Sequence, residues 1–183
     1  GTLLLLAALL LDVPAGEKKA SPNASIRTEL LSIPFLICVF GIFAGTFSGL
    51  LVIGNLAPIV QEAGLSVKLA AAAVSVFAVG NTAGRILWGS LFDRMRYAAI
   101  PASLASFALA LLLLCVSRQQ WLVMLCSGLL GFGFGANFVV YASALSSHFG
   151  VRLFPRLYPL CFLGYGLAGI TGPGIGGYLA DTT

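Results

Sequence analysis

The chain has 183 residues, of which 59% are hydrophobic and only 9% charged, with a formal net charge of +4. A soluble globular domain carries roughly a quarter charged residues, so this composition excludes a cytoplasmic enzyme and a disordered tail. Ten Lys and Arg are scattered along the chain with no basic run longer than Lys18-Lys19, which excludes nucleic acid as a partner.

In chain order, residues 1–11 form an apolar stub without the basic flank and small-residue cleavage site of a signal peptide, and are expected to be the end of a longer helix. Residues 12–31 are polar and hold Pro14, Gly16, Pro22 and Asn23, as suits an exposed connection. Beyond them the ionisable residues fall at membrane spacing. Glu29 to Glu62 encloses 32 uncharged residues, Lys68 to Asp93 encloses 24 with one exception, Arg96 to Arg118 encloses 21, Arg118 to His148 encloses 29, and Arg156 to Asp181 encloses 24. A charge in hydrocarbon costs several kcal/mol and a spanning helix needs about 20 apolar residues. Five helices are therefore expected, at about 32–60, 68–92, 97–117, 120–147 and 157–180. No segment alternates as a transmembrane strand would, so the fold class is an all-α membrane protein.

Lys18, Lys19, Arg27, Arg94, Arg96, Arg152 and Arg156 fall on one side of these spans, and Lys68 and Arg118 on the other. The richer side is predicted cytoplasmic, which places 12–31, 93–97 and 148–156 inside, in a plasma (inner) membrane. Glycines recur at four-residue spacing: Gly41, Gly45 and Gly49; Gly80 and Gly84; Gly131 and Gly135; Gly172 and Gly176. They mark either close helix packing or a surface that must slide. In Gly172-Pro173-Gly174-Ile175-Gly176-Gly177, proline removes a donor and glycine resists helix, so a kinked or weakened stretch is expected there.

Gly164-Tyr165-Gly166-Leu167-Ala168-Gly169 matches a dinucleotide fingerprint by letters alone; no strand precedes it and it lies inside an apolar span. Cys38, Cys115, Cys126 and Cys161 each stand singly among apolar residues and read as packing residues. The sequence offers no catalytic constellation, no metal-ligand spacing and no cofactor signature.

The exception among the spans is Arg85. It lies eight residues before Asp93, about 12 Å from the boundary at 1.5 Å per residue. Charges at that depth face a bundle interior or an aqueous cavity, bind substrate, or pair with another charge. No acidic residue lies inside any of the five spans. Either Arg85 has a structural role, through a partner elsewhere or by snorkelling, or the counter-ion is a ligand, and a guanidinium fork fits a carboxylate. Asn81 four residues earlier and Trp88 three later are expected to share its helix face. Asn137 with Tyr141, and Phe162 with Tyr165, are further polar or aromatic pairs at helical spacing, each open to a packing reading or a ligand reading.

The run Gly84-Arg85-Ile86-Leu87-Trp88-Gly89-Ser90-Leu91-Phe92-Asp93-Arg94-Met95-Arg96 resembles the cytoplasmic loop motif of the major facilitator superfamily, in its second-half copy. That resemblance implies a conformational latch built on Gly89, Asp93, Arg94 and Arg96, to which Gly172 and Pro173 are added by their resemblance to the antiporter motif. More narrowly, Ser48-Gly49-Leu50-Leu51-Val52-Ile53-Gly54-Asn55-Leu56-Ala57-Pro58, the Gly84-Arg85 run, Gly135-Ala136-Asn137-Phe138 and the stretch from Tyr158-Pro159-Leu160 to Gly177 resemble the oxalate/formate antiporters. The resemblance implies a partial C-terminal six-helix bundle: the end of helix six at 1–11, the central cytoplasmic linker at 12–31, and helices seven to eleven at 32–183, with the N-terminal half of the same transporter as the missing partner. It further implies that Arg85 corresponds to the arginine that binds substrate carboxylate. Dicarboxylate-binding members add a lysine where this sequence has Tyr165, which favours a monoanion such as formate over oxalate. Related monocarboxylate transporters place a proton-coupling aspartate where this sequence has Asn81. The expected function is alternating-access transport of a small organic anion. The rivals are another carrier of the superfamily, for a sugar or drug, and a non-transporting scaffold or sensor.

Overall fold

The computed structural model describes the backbone of residues 26–182 and the side chains of 28–178. The expected stub at 1–11 and the linker up to residue 25 lie outside the described residues. Among the described residues every regular element is helical. A short helix, α1 (Ile26–Leu30), occupies the end of the expected linker.

The start and stop of α2 (Ile33–Glu62) follow from local chemistry. Ser32 is extended, its hydroxyl donates to the Glu29 carbonyl at 2.7 Å and accepts from the Phe35 N–H at 3.4 Å, and Pro34 lies in the first turn, where a missing donor costs nothing. At the other end Gly64 takes φ 84°; its N–H donates to the Gln61 carbonyl at 2.9 Å, while the Leu65 N–H reaches Val60 at 3.3 Å. This left-handed closure satisfies carbonyls that the last turn would otherwise leave bare. Ser66 caps α3 (Val67–Met95) at once. That helix stops at Arg96, whose φ of 54° is unusual for a residue with a side chain, and a single 3-10 turn at Arg96–Ala98 leads into α4 (Ala99–Val116).

Helical backbone then runs from Gln120 to Thr182 with one interruption, Gly150, at φ 77° and ψ 164°. We treat the two limbs as α5 (120–149) and α6 (151–182). Helix was expected to stop across 148–156, yet only Gly150 leaves it, and helical backbone also continues through Gly172 and Pro173. Pro155, Pro159 and Pro173 all lie within α6, where each removes one backbone donor. The φ/ψ of Gly150 belongs to a region essentially closed to L side chains. Gly150→Ala is therefore expected to lower stability by about 1–3 kcal/mol, read as a drop in thermal midpoint. Gly169→Ala, on an open helix face, serves as the control and should be neutral or slightly stabilising.

Two apolar helical stretches, Val67–Val116 with 50 residues and Gln120–Tyr178 with 59, are each too long for one crossing. A straight helix of 50 residues would reach about 75 Å, against a hydrocarbon core of about 30 Å. Both fold back. Phe77 of α3 and Phe107 of α4 join one core cluster, although a straight helix would hold them about 45 Å apart. The rings of Phe138 in α5 and Tyr165 in α6 lie 5.5 Å apart across the Gly150 turn. The result is five membrane-length limbs, α2 to α6.

Small residues set how these limbs pack. A Cβ on Gly80 would strike the Gly128 carbonyl, on Gly84 that of Phe132, on Gly131 that of Phe77, and on Gly135 that of Asn81. The backbones of α3 and α5 thus interlock, and the pairing shows that they run parallel. The row Gly41, Gly45 and Gly49 works differently: it leaves room on α2 for Tyr141, Asn137 and Phe134 of the antiparallel α5. Gly164 and Gly172 of α6 approach the α2 carbonyls of Val39 and Phe47. All four glycine rows lie at close helix contacts in the structure.

Two core clusters stack along the bundle. One, around Phe35, Trp88, Phe92, Tyr141 and Leu157, lies toward the end bearing Asp93, Arg94 and Arg152; the other, around Leu56, Phe77, Phe107 and Leu130, lies toward Glu62 and Arg118. α4 buries Ala99, Ser103, Phe107, Ala110 and Leu114 and turns Leu109, Leu112 and Val116 outward. Such an apolar outer face would drive association in water but is at home in lipid. Serine and threonine hydroxyls on the spans, among them Ser48, Ser75, Thr82, Ser127 and Thr171, donate to carbonyls four residues earlier and so need no water.

Candidate functional site

Arg85 projects from α3 ten residues before its end. Its Nε–H donates to Asn81 Oδ1 at 3.5 Å, one turn earlier on the same face. Its Cζ lies 4.1 Å from the centroid of the Phe138 ring of α5. A ring face attracts a guanidinium through its quadrupole and leaves the in-plane N–H donors unused. Among the described residues no carboxylate pairs with Arg85 and no further hydrogen bond engages it.

Phe138 connects this cation to α6. Its ring meets Tyr165 edge-on at 5.5 Å and lies 6.3 Å from Phe162, and Phe162 stacks on Tyr165 at 4.9 Å with planes 29° apart. Four expected site residues, Arg85, Asn81, Phe162 and Tyr165, thus converge through a ring that had not been singled out. The stack continues down α6: Phe162 to Tyr158 at 5.5 Å, and Tyr158 to Phe154 at 5.1 Å. Tyr158, also not anticipated, is within electrostatic reach of the Arg85 charge. The only sequence signal for this ladder was the spacing of four, four and three between Phe154, Tyr158, Phe162 and Tyr165.

Three other expected residues go elsewhere. Trp88 does not share the open face of Arg85: it is 4% exposed and packs on Phe132 with ring centroids 5.7 Å apart. The ring over the guanidinium belongs to Phe138 instead. Asn137 and Tyr141 are 3% and 0% exposed and lie in the α2–α5 seam, against Gly45 and Gly41. Consecutive residues of a helix point about 100° apart, so Phe138 can turn to Arg85 while Asn137 turns to α2. Trp88 Nε1, Asn137 Oδ1 and Tyr141 Oη are buried without a hydrogen-bond partner among the described residues. Leaving each so costs about 1–3 kcal/mol.

The latch residues cluster at the basic end. Asp93, with Phe92, Ala142, Ser143, Ser146 and Ser147, lines an open polar cleft of about 310 Å³ between α3 and α5. Arg94 is exposed in the last turn of α3, and the Arg96 guanidinium lies 6.0 Å from the Phe92 ring. Gly89 is half-buried, with room for a Cβ 3.4 Å from Val139. Gly172 is buried on α2 beside Leu50, and Pro173 is exposed.

Residues 35–183 match the family model of the Major Facilitator Superfamily. The chain belongs to that superfamily. It is accordingly a multi-pass, all-α integral membrane protein from a family of transporters rather than enzymes. Over 175 residues it is 28% identical to an uncharacterized MFS-type transporter, YhjX, of Escherichia coli (strain K12). The match takes in 90% of this chain and 43% of that relative, so the chain spans less than half the length of the curated relative it matches.

Proposed function

We propose that the chain forms the substrate-binding part of a carrier that moves a small organic anion by alternating access, of the oxalate/formate or monocarboxylate antiport type. The observation that carries this reading is the Arg85 guanidinium, held at membrane depth by Phe138 and Asn81 with its remaining donors open and no carboxylate beside it among the described residues. Such a group attracts a carboxylate, which accepts two parallel hydrogen bonds from the fork. The limbs α2 to α6 take the places of helices seven to eleven, with Asp93, Arg94 and Arg96 on the cytoplasmic side of the plasma membrane and the first half of the transporter closing the cavity.

Exchange follows from electrostatics. An empty carrier that reorients must occlude an unpaired guanidinium, whereas a loaded one occludes a neutral pair, so the loaded form crosses faster. Rocking of one half against the other moves the site between the two sides. The Asp93 cleft, the positive φ of Arg96 and the exposed Arg94 stand where such a movement would make and break contacts.

The test is Arg85→Gln in the complete transporter, reconstituted in liposomes with a panel of labelled carboxylates that includes formate, oxalate and larger monocarboxylates. Removing one partner of a desolvated charge pair costs about 2–5 kcal/mol, roughly 30- to 5,000-fold in binding. Uptake is expected to fall by that order while elution profile and thermal midpoint stay as in the parent. Undiminished uptake would return Arg85 to a structural role.

A further inference from the structure

We infer that the anion taken at Arg85 has a flat, apolar body: an aryl or unsaturated monocarboxylate, rather than oxalate or formate. This rests on the carboxylate reading of Arg85 and goes beyond it, because it concerns what lies beyond the carboxylate. The cation is backed by the Phe138 ring, and from that ring the wall continues as Tyr165, Phe162 and Tyr158. All four rings are half-buried, so they present surface rather than fill a core.

Two consequences follow for a bound solute. First, a carboxylate on the guanidinium fork directs its substituent along ring surface, and stacked or edge-on contact with aromatic rings rewards a planar apolar group beyond the area it buries. Formate has no such group. Secondly, a second carboxylate would be placed against ring faces whose quadrupole repels anions. The Tyr158 and Tyr165 hydroxyls make no hydrogen bond among the described residues, so a keto or hydroxyl oxygen beside the carboxylate would find donors there.

The test uses the complete transporter in liposomes and measures competition against labelled phenylpyruvate, with phenylacetate, acetate, formate and oxalate as the unlabelled probes. Phenylacetate is expected to compete at least about tenfold better than acetate, formate or oxalate. In Phe162→Leu that margin should shrink severalfold; Tyr165→Phe, which keeps the ring, should retain the margin and lose part of the phenylpyruvate preference. Formate or oxalate competing better than phenylacetate, with all binding lost in Arg85→Gln, would overturn the aryl inference and leave the carboxylate reading standing. A margin for phenylacetate that Phe162→Leu leaves unchanged would likewise overturn it, by placing the apolar contacts elsewhere. Binding of no carboxylate, or binding indifferent to Arg85→Gln, would overturn both.

Discussion

Gly131→Ala is expected to destabilise the bundle by about 2–3 kcal/mol or more, although alanine is the better helix former by about 1 kcal/mol. The added methyl would strike the Phe77 carbonyl, with the Asn81 amide nitrogen only 2.9 Å away. Both are backbone atoms of a neighbouring helix, so no rotamer change relieves the clash, and α3 and α5 must part along a seam that Gly80, Gly84 and Gly135 also shape. The matching control is Gly166→Ala, where nothing lies within 4 Å of the new methyl. Thermal midpoints of the two variants of the complete protein in detergent, measured in parallel, decide the matter. Equal midpoints would mean that the interlocked backbones contribute little to the stability of the bundle. Gly135→Ala adds a functional reading: its methyl would meet the Asn81 backbone carbonyl and come 3.0 Å from the Arg85 backbone nitrogen and 3.1 Å from Asn81 Oδ1. It should therefore reduce anion uptake by more than its loss of stability explains, by shifting the arginine without altering it.

The helical membrane architecture was legible in the sequence because it rests on one-dimensional facts. Lipid forbids unpaired backbone groups and charges, and the spacing of Glu62, Lys68, Asp93, Arg118 and Arg156 records where the chain meets water. Local punctuation was only partly legible. Gly150 was one of many glycines until its φ of 77° marked it as the reversal between α5 and α6. The candidate site was half legible. Asn81 and Arg85, and likewise Phe162 and Tyr165, lie within one element, where helical periodicity suffices to place two side chains together. Trp88, Asn137 and Tyr141 depend on which neighbour their face meets, and that was decided on a different helix. Gly41, Gly45 and Gly49 open a channel in α2 that receives the bulky stripe of α5. Phe138 illustrates the reverse case: it stood beside Asn137 in the sequence, but one step around the helix turned it from the α2 seam to the guanidinium.

Arg85→Lys separates the geometry of the site from its charge. Lysine keeps a positive group at the same depth, so a site that merely attracts anions would retain most of its affinity. The proposed carboxylate site does more than attract. The guanidinium lies over the Phe138 face with Nε directed at Asn81, and both contacts fix the plane in which the remaining donors point. An ammonium is a compact point charge on a flexible stem, with neither the fork nor the flat face that stacks on a ring. Losing one of two parallel charge-assisted hydrogen bonds costs about 1.5–3 kcal/mol, roughly 10- to 150-fold in affinity. Arg85→Lys should therefore fold and insert normally yet bind carboxylates weakly by that factor, between the parent and Arg85→Gln, as measured by competition in liposomes. Phe138→Leu should move in the same direction by a smaller step, because it leaves the fork intact and removes only the face that holds it. If Arg85→Lys bound carboxylates as the parent does, the orientation imposed by Phe138 and Asn81 would be irrelevant to recognition, and the anion would be held by field alone.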